Sequence, residues 1–328
     1  MAEMRDLNAC LVADDLVSFL SKHHGISARV HSVFPRAVNL QVGDDLITIT
    51  NHGDITPMGL TVAGEVTFPV MLKIGDEFLL KTNSLIAANG RFRLHITEAQ
   101  VWQTAIYNGD TPLTVEEINS RRIALLEWLE KQEKIGLLPL LNRLTRRQAV
   151  TNRSEDNVYS RYIGADLEAF VNKIKASDWR AALKKTDKLI GFGVGSTPSC
   201  DDFLAAILSV FTVAEGLNPG SFRWVTEFNQ AVAKTAQNQS TFISAVMLRH
   251  AANGKISRSH QNLLRGCLFE NTETPLVFAN QVLQYGATSG ADFLLGLVCV
   301  LDWYCCVSAD LLKEGEEVQA YLQPEPLE

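Results

Sequence analysis

Hydrophobic and polar positions alternate along this chain in two distinct rhythms. Residues 7–21 carry apolar groups interrupted by Asp14 and Asp15, a pattern that predicts a short amphipathic helix. From residue 28 to 104 the apolar runs become brief and β-rich, as at 28–34, 46–50 and 65–72. Turn clusters separate them: Gly43-Asp44-Asp45, Asn51-His52-Gly53-Asp54 and Ile74-Gly75-Asp76. This spacing predicts a small antiparallel sheet or barrel. Near Asn108-Gly109-Asp110 the period changes. Thr114-x-x-Glu117 has capping-box spacing and opens a helix over 115–134, in which Ile123, Leu126 and Leu129 recur at helical intervals.

Further helices are expected at 157–188, 202–215, 222–237, 240–253, 257–270, 275–284 and 290–306, joined by short Gly, Asn and Pro turns. Strands followed by helices, without alternation, give an α+β class. A β-rich domain over 1–112, a sheet or small barrel with an N-terminal helix, is followed by a mostly helical domain over 113–328. The polar stretch 143–156, with Arg146, Arg147, Asn152 and Arg153, reads as a solvated connection or an exposed helix end, and Gln323-Pro324-Glu325-Pro326 as a frayed tail.

The 328 residues suffice for two domains with real cores, and 46% hydrophobic against 20% charged residues is an ordinary globular balance. A net charge of −7 with no long Lys/Arg block speaks against nucleic acid or an anionic membrane as partner. The apolar run 293–300, continuing past Asp302, falls short of the roughly 18 residues that span a bilayer and reads as a buried helix. Arg5, Asp6, Asp14 and Asp15 break up the start, so no secretory signal is expected. Six scattered cysteines show neither a C-x-x-C pair nor ligand-spaced histidines, which implies reduced thiols, a cytoplasmic location and no zinc site.

The strongest local signal for chemistry is Gly191-Phe192-Gly193-Val194-Gly195-Ser196-Thr197-Pro198-Ser199-Cys200-Asp201-Asp202, running directly into an apolar helix. Alternating glycines permit positive φ and close backbone approach, and Ser199-x-x-Asp202 has N-capping spacing. Such a loop can hold an anion at a helix start. It lacks the G-K-[ST] ending of a Walker loop and the G-x-G-x-x-G of a dinucleotide fold. Its adjacent carboxylates oppose an anion unless one is turned away, so Asp202 is expected to cap the helix and Asp201 to face a ligand or a cation. A capped Gly-rich turn with no ligand is the competing account. A thiolate role for Cys200 is disfavoured by its acidic neighbours.

A second segment, Gly286-Ala287-Thr288-Ser289-Gly290-Ala291-Asp292-Phe293-Leu294, echoes the first when Ser289 is set on Ser199, which brings Asp292 onto Asp202 and Phe293 onto Phe203. Two similar helix starts facing one pocket would form a shared anion site; two independently capped helices are the alternative. Between them, Ser240 and Ser244 share a helical face that could line this cavity, whereas Arg249 lies nearer the face of Thr241, Phe242 and Ala245. Arg249 is a candidate clamp for a carboxylate or phosphate, or a plain surface arginine. Arg36 and Asn39 flank an early apolar strand.

Taken together, Gly191-x-Gly193-x-Gly195-x-Thr197-Pro198-Ser199-x-Asp201-Asp202, Thr288-Ser289-Gly290-Ala291-Asp292-x-Leu294-Leu295-Gly296 and Arg36-Ala37-x-Asn39-Leu40 resemble the AllH-like family, from about residue 27 to 300. Arg249, ahead of Ala251-Ala252-x-Gly254, matches the same family's pattern. The resemblance implies a subunit of an oxamate carbamoyltransferase of bacterial allantoin and purine nitrogen breakdown, interconverting carbamoyl phosphate plus oxamate with oxalurate plus phosphate. It implies as partners an FdrA-like subunit and a further subunit from an uncharacterised family. Under it, Gly193, Gly195, Thr197, Ser199, Thr288, Ser289, Gly290, Asp292, Arg36 and Asn39 would bind the small anionic substrate, and Asp201, Asp202 and Arg249 would carry catalysis. It implies no definite cofactor, with magnesium as a candidate, and Asp201 would position an amine or a divalent ion. Val194, Ser196 and Cys200 stand where the family loop usually has proline, leucine and glycine. The extra N-terminal helix and the C-terminal tail, outside the resemblance, would serve subunit contacts, and a homo-oligomer is a further expectation. A non-catalytic metabolite-binding or scaffold subunit and a carboxylase or ligase component are the competing functions.

Overall fold

The computed structural model describes residues 5–51, 53–64, 66–107, 109–145, 157–270 and 274–322. His52, Arg146, Arg147, Asn152 and Arg153, and the tail from Gln323, lie outside the described residues. The chain divides into two compact units, one within Met1–Ile106 and Gly254–Asn262, the other within Tyr107–Asn253 and Leu263–Glu328.

In the first unit, residues 7–21, expected as one helix, instead divide into a strand, β1 (Arg5–Ala13), and a helix, α1 (Asp14–Lys22). In β1, Leu7, Ala9 and Leu11 are buried while Asn8 and Cys10 are exposed, the period of two that marks a strand. There follow β2 (Ser27–Val33), β3 (Ala37–Val42), β4 (Asp45–Thr50) and β5 (Gly59–Val62). Next come the one-turn helix α2 (Phe68–Met71), β6 (Glu77–Lys81), β7 (Ser84–Ala87), β8 (Phe92–His95) and β9 (Gln100–Trp102). The strand expected over 65–72 is thus the turn α2: Pro69 has no N–H to give a ladder but is tolerated in a first helical turn.

The strand order β5-β4-β3-β2-β6-β7-β8-β1 closes on itself through a β1–β5 pairing, making an eight-stranded barrel with β9 appended to β1. Strand β1 closes it by pairing differently along its length. Its first half runs parallel to β8 (Leu7↔Leu94), while its second half pairs with β9 (Val12↔Val101) and, on the other edge, antiparallel with β5 (Val12↔Leu60). The β4–β5 pair is also parallel, so the barrel is mixed rather than purely antiparallel. Closure leaves no unpaired barrel edge. Val30, Val38, Leu40, Ile47, Leu60, Phe78, Leu80 and Phe92 fill its core, to which α1 adds Leu16 and Leu20.

The segment 254–262 returns to this unit through specific polar contacts. Lys255 Nζ pairs with Asp15 at 2.6 Å, and Ser259 donates from its amide and hydroxyl to the two oxygens of Asp54. Gln261 accepts from Trp102 Nε1 at 2.8 Å and donates to the carbonyls of Gln103 and Ala105.

The second unit comprises α3 (Val115–Glu130), α4 (Leu141–Thr145), α5 (Val158–Lys175), α6 (Trp179–Leu189), α7 (Ser199–Leu217), α8 (Trp224–Gln239), α9 (Phe242–Ala251), most of α10 (Arg258–Leu268), α11 (Pro275–Leu283) and α12 (Ser289–Leu322). The capping box of α3 forms as its spacing predicts, with Glu117 and Thr114 bonded in both directions. The single helix expected over 157–188 is broken at Ser177, whose φ of 53° ends α5, and Asp178 caps α6.

Helices α7 and α12 form the centre, and nearly every residue of α7 is buried. They meet at Gly296, where a Cβ would collide with the Phe203 carbonyl and stand 3.1 Å from Ala206 Cβ. Trp303 packs with Phe211, Phe222 and Trp224 at ring separations of 4.8–6.0 Å. Farther along, Asp302 of α12 pairs with Arg122 of α3 at 3.2 Å and Lys175 of α5 at 2.9 Å. The apolar segment of α12 is longer than its sequence suggested. Ser289–Ala309, 21 residues with a mean hydropathy of 1.7, has the length of a membrane span. Its most apolar window is 83% buried inside the protein, which identifies a core helix.

Candidate functional site

The site is built where α7 and α12 begin. Gly191, Gly193 and Gly195 all have positive φ, at 78°, 131° and 97°. The first two have no room for a side chain: a Cβ on Gly191 would strike the Gln239 carbonyl, and one on Gly193 the Ser199 amide. The loop is thereby pressed onto the end of α8 and onto its own helix. Gly290 is held as tightly, because a Cβ there would overlap the Val282 carbonyl at the end of α11.

Capping does not follow the expected spacing. Pro198 occupies the N-cap of α7, no side chain caps that end, and Ser199 is already helical. The amides of Cys200, Asp201 and Asp202 are used internally, by the carbonyls of Phe192 and Pro198. Asp202 is therefore not a cap, and most of the first-turn amides of α7 are unavailable to an anion.

The two aspartates also exchange the places expected of them. Asp201 is fully buried and accepts from the Gly191 amide at 2.8 Å, the Ser244 hydroxyl at 2.6 Å and the Ser240 hydroxyl. Ser240 and Ser244 do share a face, and what they hold is Asp201. Burial raises the Asp201 pKa, and these three donors oppose the rise. Asp201 fastens the glycine loop to α9.

Asp202 and Asp292 form a reciprocal pair. The hydroxyls of Ser289, across on α12, and of Thr197, in its own loop, face the Asp202 carboxyl. Those of Ser199, across on α7, and of Thr288, in its own loop, face Asp292. Thr197 and Ser289 also contact each other, with their hydroxyl oxygens 3.0 Å apart. Each acid thus meets the serine of the opposite helix and the threonine that precedes its own. The echo between the two sequence segments corresponds to an approximate twofold arrangement.

Burial holds Asp202 well above the usual carboxylate range, and the nearby charges of Asp292 and Asp201 add to the rise against the Ser289 and Thr197 hydroxyls. Burial raises Asp292 to about 6, against the Leu137 amide and the hydroxyls of Ser199 and Thr288. One oxygen of each, Oδ2, is buried without a hydrogen-bond partner among the described residues. A buried carboxylate oxygen left so is costly, and retaining a proton relieves the cost. Burial thus biases both carboxyls toward their protonated, hydrogen-bond-donating form. The Cys200 thiol, buried beside all three acids, is pushed well above its normal value and held as an unreactive thiol.

Sequence reading missed Gly136 and Leu137. The Leu137 amide donates to Asp292 Oδ1 at 2.6 Å, and Gly136, with φ of 53°, lies so close to that carboxyl that a Cβ would collide with it. Asn157, the cap of α5, donates to the Gly136 carbonyl at 2.8 Å. The only local signal was a glycine after a helix, which normally marks a helix end.

Of the other expected site residues, Arg249 lies elsewhere in the helical unit, and Arg36 and Asn39 belong to the barrel unit. Arg249, in the last turn of α9, lines a groove with Thr212, Asn229 and Lys234. Thr212 is ten residues beyond Asp202 on α7, about 15 Å along the helix axis. In the barrel unit, Asn39 is buried between strands, donating to Ser32 and accepting from Thr48, each at 2.9 Å. Its contacts account for it as a cross-strand ladder. Arg36 is exposed in the turn before β3. Among the described residues no group of three or more His, Cys, Asp or Glu side chains is arranged to hold a metal ion.

These features define a two-unit α+β protein, a closed β-barrel and a helical unit whose polar site joins two Ser-x-x-Asp helix starts. The model of the oxamate carbamoyltransferase subunit AllH matches residues 189–301, spanning both helix starts, and that of the AllH family N-terminal domain matches residues 7–101. The chain belongs to the AllH family. The second match includes β1 and α1, so the early residues belong to the family domain rather than to an added extension. No solved structure matches the chain. At the level of the family, the role is that of a carbamoyltransferase subunit.

Proposed function

We propose that this chain is a subunit of a carbamoyltransferase that interconverts carbamoyl phosphate plus oxamate with oxalurate plus phosphate, and that it contributes the site between the starts of α7 and α12. The reciprocal arrangement of Asp202 with Ser289 and Asp292 with Ser199 carries this reading. In the transfer, the oxamate nitrogen bonds to the carbamoyl carbon, the bond from that carbon to the phosphate oxygen breaks, and the nitrogen's proton passes to the departing phosphate. No covalent nucleophile is needed, so placement and electrostatics supply the acceleration.

The hydroxyls of Thr197 and Ser289, on half-buried residues and 3.0 Å apart, are suited to orient a carbamoyl or amide group. Asp202, which burial biases toward its protonated form, can in that form donate toward a carbonyl oxygen, and Asp292, raised to about 6, can accept a proton. Asp201 fixes the loop. Three acidic groups and a first turn with its amides already used suit the uncharged amide end of the substrates better than a phosphate dianion. The phosphate end is then held by other subunits, an FdrA-like chain among them, which accords with a family described as a subunit.

The test is reconstitution with those subunits and assay of oxalurate phosphorolysis. Thr197→Ala and Asp202→Asn should each lower kcat/KM by about a hundredfold, roughly 2.7 kcal/mol of transition-state stabilisation. Full activity in both variants would remove the site from the reaction and leave a scaffold role.

A further inference from the structure

We propose that Asn157 is a positioning residue for Asp292, acting through the single peptide group that joins Gly136 to Leu137. All the parts lie within the helical unit. The Gly136 carbonyl and the Leu137 N–H are the two ends of one amide. Asn157 Nδ2 donates to the carbonyl at 2.8 Å, and the N–H donates to Asp292 Oδ1 at 2.6 Å. A donor on the oxygen draws an amide toward its charge-separated resonance form, which makes its N–H a stronger donor. Asn157 thereby strengthens the backbone bond that favours the ionised form of Asp292 against its burial.

The Asn157 side chain is held in place for this at its other end. Its Oδ1 accepts from the Ser160 amide at 2.9 Å, and the Ser160 hydroxyl, on a buried residue, accepts from the Asn157 amide at 2.9 Å. The Ser160 N–H fixes which end of the side chain faces Gly136, because the flipped group would set N–H against N–H and oxygen against oxygen. Gly136 supplies the close approach: with φ of 53° and no Cβ, it brings the turn against the Asp292 carboxyl, where any side chain would collide. Serine or aspartate would cap α5 as well as asparagine does, yet neither carries a side-chain amide N–H. Capping alone does not call for asparagine. Asp292 is also faced by Asp202, Cys200 and the Ser199 hydroxyl of α7 and by the Thr288 hydroxyl of its own loop, so Asp202 titrates beside it and Asp292 has to be read by itself.

The test is a carboxyl 13C NMR titration of the full chain labelled at aspartate Cγ, the Asp292 signal being identified by its loss in Asp292→Asn. In Asn157→Ser, which keeps a capping oxygen and loses the amide N–H, the Asp292 midpoint should rise by about half a pH unit. Asn157→Ala, which loses both, should show the same rise together with a lower melting temperature. A midpoint unchanged in Asn157→Ser, or a rise confined to Asn157→Ala, overturns the relay and leaves a helix cap. The unsubstituted chain gives a second reading: the Leu137 amide proton and the Asn157 side-chain amide protons should both follow the Asp292 midpoint, and an Asn157 signal that stays still overturns the proposal equally. The relay rests on the proposed function only for its catalytic meaning. In the reconstituted complex the acid limb of kcat/KM should move to higher pH with Asp292. A risen midpoint with an unmoved limb would remove Asp292 from the transfer and leave the relay standing.

Discussion

The buried acid on α12 should make the helical unit lose stability as pH rises, the reverse of the usual effect of a paired carboxylate. Asp292 has a pKa of about 6 when folded against an ordinary value of 3.8. Between these the folded chain binds more proton than the unfolded chain, so stability is highest below about pH 4 for this group and falls as pH rises toward 6, with the full loss present above. At about 1.4 kcal/mol per pH unit, the interval is worth roughly 3 kcal/mol, taken as an order of magnitude. Asp292→Asn removes the ionisation while keeping an oxygen for the Leu137 amide and a nearly identical shape beside Gly136. Urea unfolding at pH 4.5, 6 and 8 measures the effect, with Asp202→Asn as a companion because Asp202 shifts in the same direction. Other carboxylates contribute with the opposite sign, so the informative quantity is the change in slope between variant and parent. The Asp292→Asn variant should be less destabilised than the parent between pH 4.5 and 8, by about 2 kcal/mol, part of the effect being already lost at pH 4.5. An unchanged slope would refute the assignment of a raised pKa to Asp292.

Other outcomes follow from the packing. Gly296→Ala must part α7 from α12 at the Phe203 carbonyl, which should lower stability by about 1–3 kcal/mol in a denaturant titration and weaken substrate binding with it. Asp201→Ala strands the Gly191 amide and the Ser240 and Ser244 hydroxyls and should cost about 2–4 kcal/mol, whereas Thr197→Ala, at a half-buried position, should change the melt by less than about 1 kcal/mol. Gln261→Leu leaves Trp102 Nε1 and the carbonyls of Gln103 and Ala105 unpaired. It should destabilise the barrel unit by about 2–4 kcal/mol, seen as an early transition in tryptophan fluorescence.

Much of the helical unit was legible from local pattern. Its capping box, helix succession and the kinship of the 199–202 and 289–292 segments are short-range features, and short-range chemistry is what spacing reports. The barrel was legible as a set of short strands but not in its closure. The first strand was hidden in a helix-like segment, because Asp14 and Asp15 and the apolar residues around them satisfy either period over so short a stretch. Residues 254–262 joined the barrel unit through Lys255, Ser259 and Gln261, whose partners lie about 160 to 240 positions away along the chain.

Spacing alone identified Asp201, Asp202 and Asp292 as the acids of interest. It did not decide which was structural, because that depends on what lies opposite: Ser240 and Ser244 for Asp201, Ser289 for Asp202, Ser199 and Leu137 for Asp292. Arg249 likewise had the right chemistry for the same site but sits in a different groove, roughly two and a half turns along from Ser240. Local order and composition were enough for the α+β class, the family and the residue types of the site, since each is written in short stretches of chain. Barrel closure, the reciprocal pairing of the two helix starts and the protonation of their acids came only with the folded molecule, because burial and long-range hydrogen bonds exist only once distant segments are brought together.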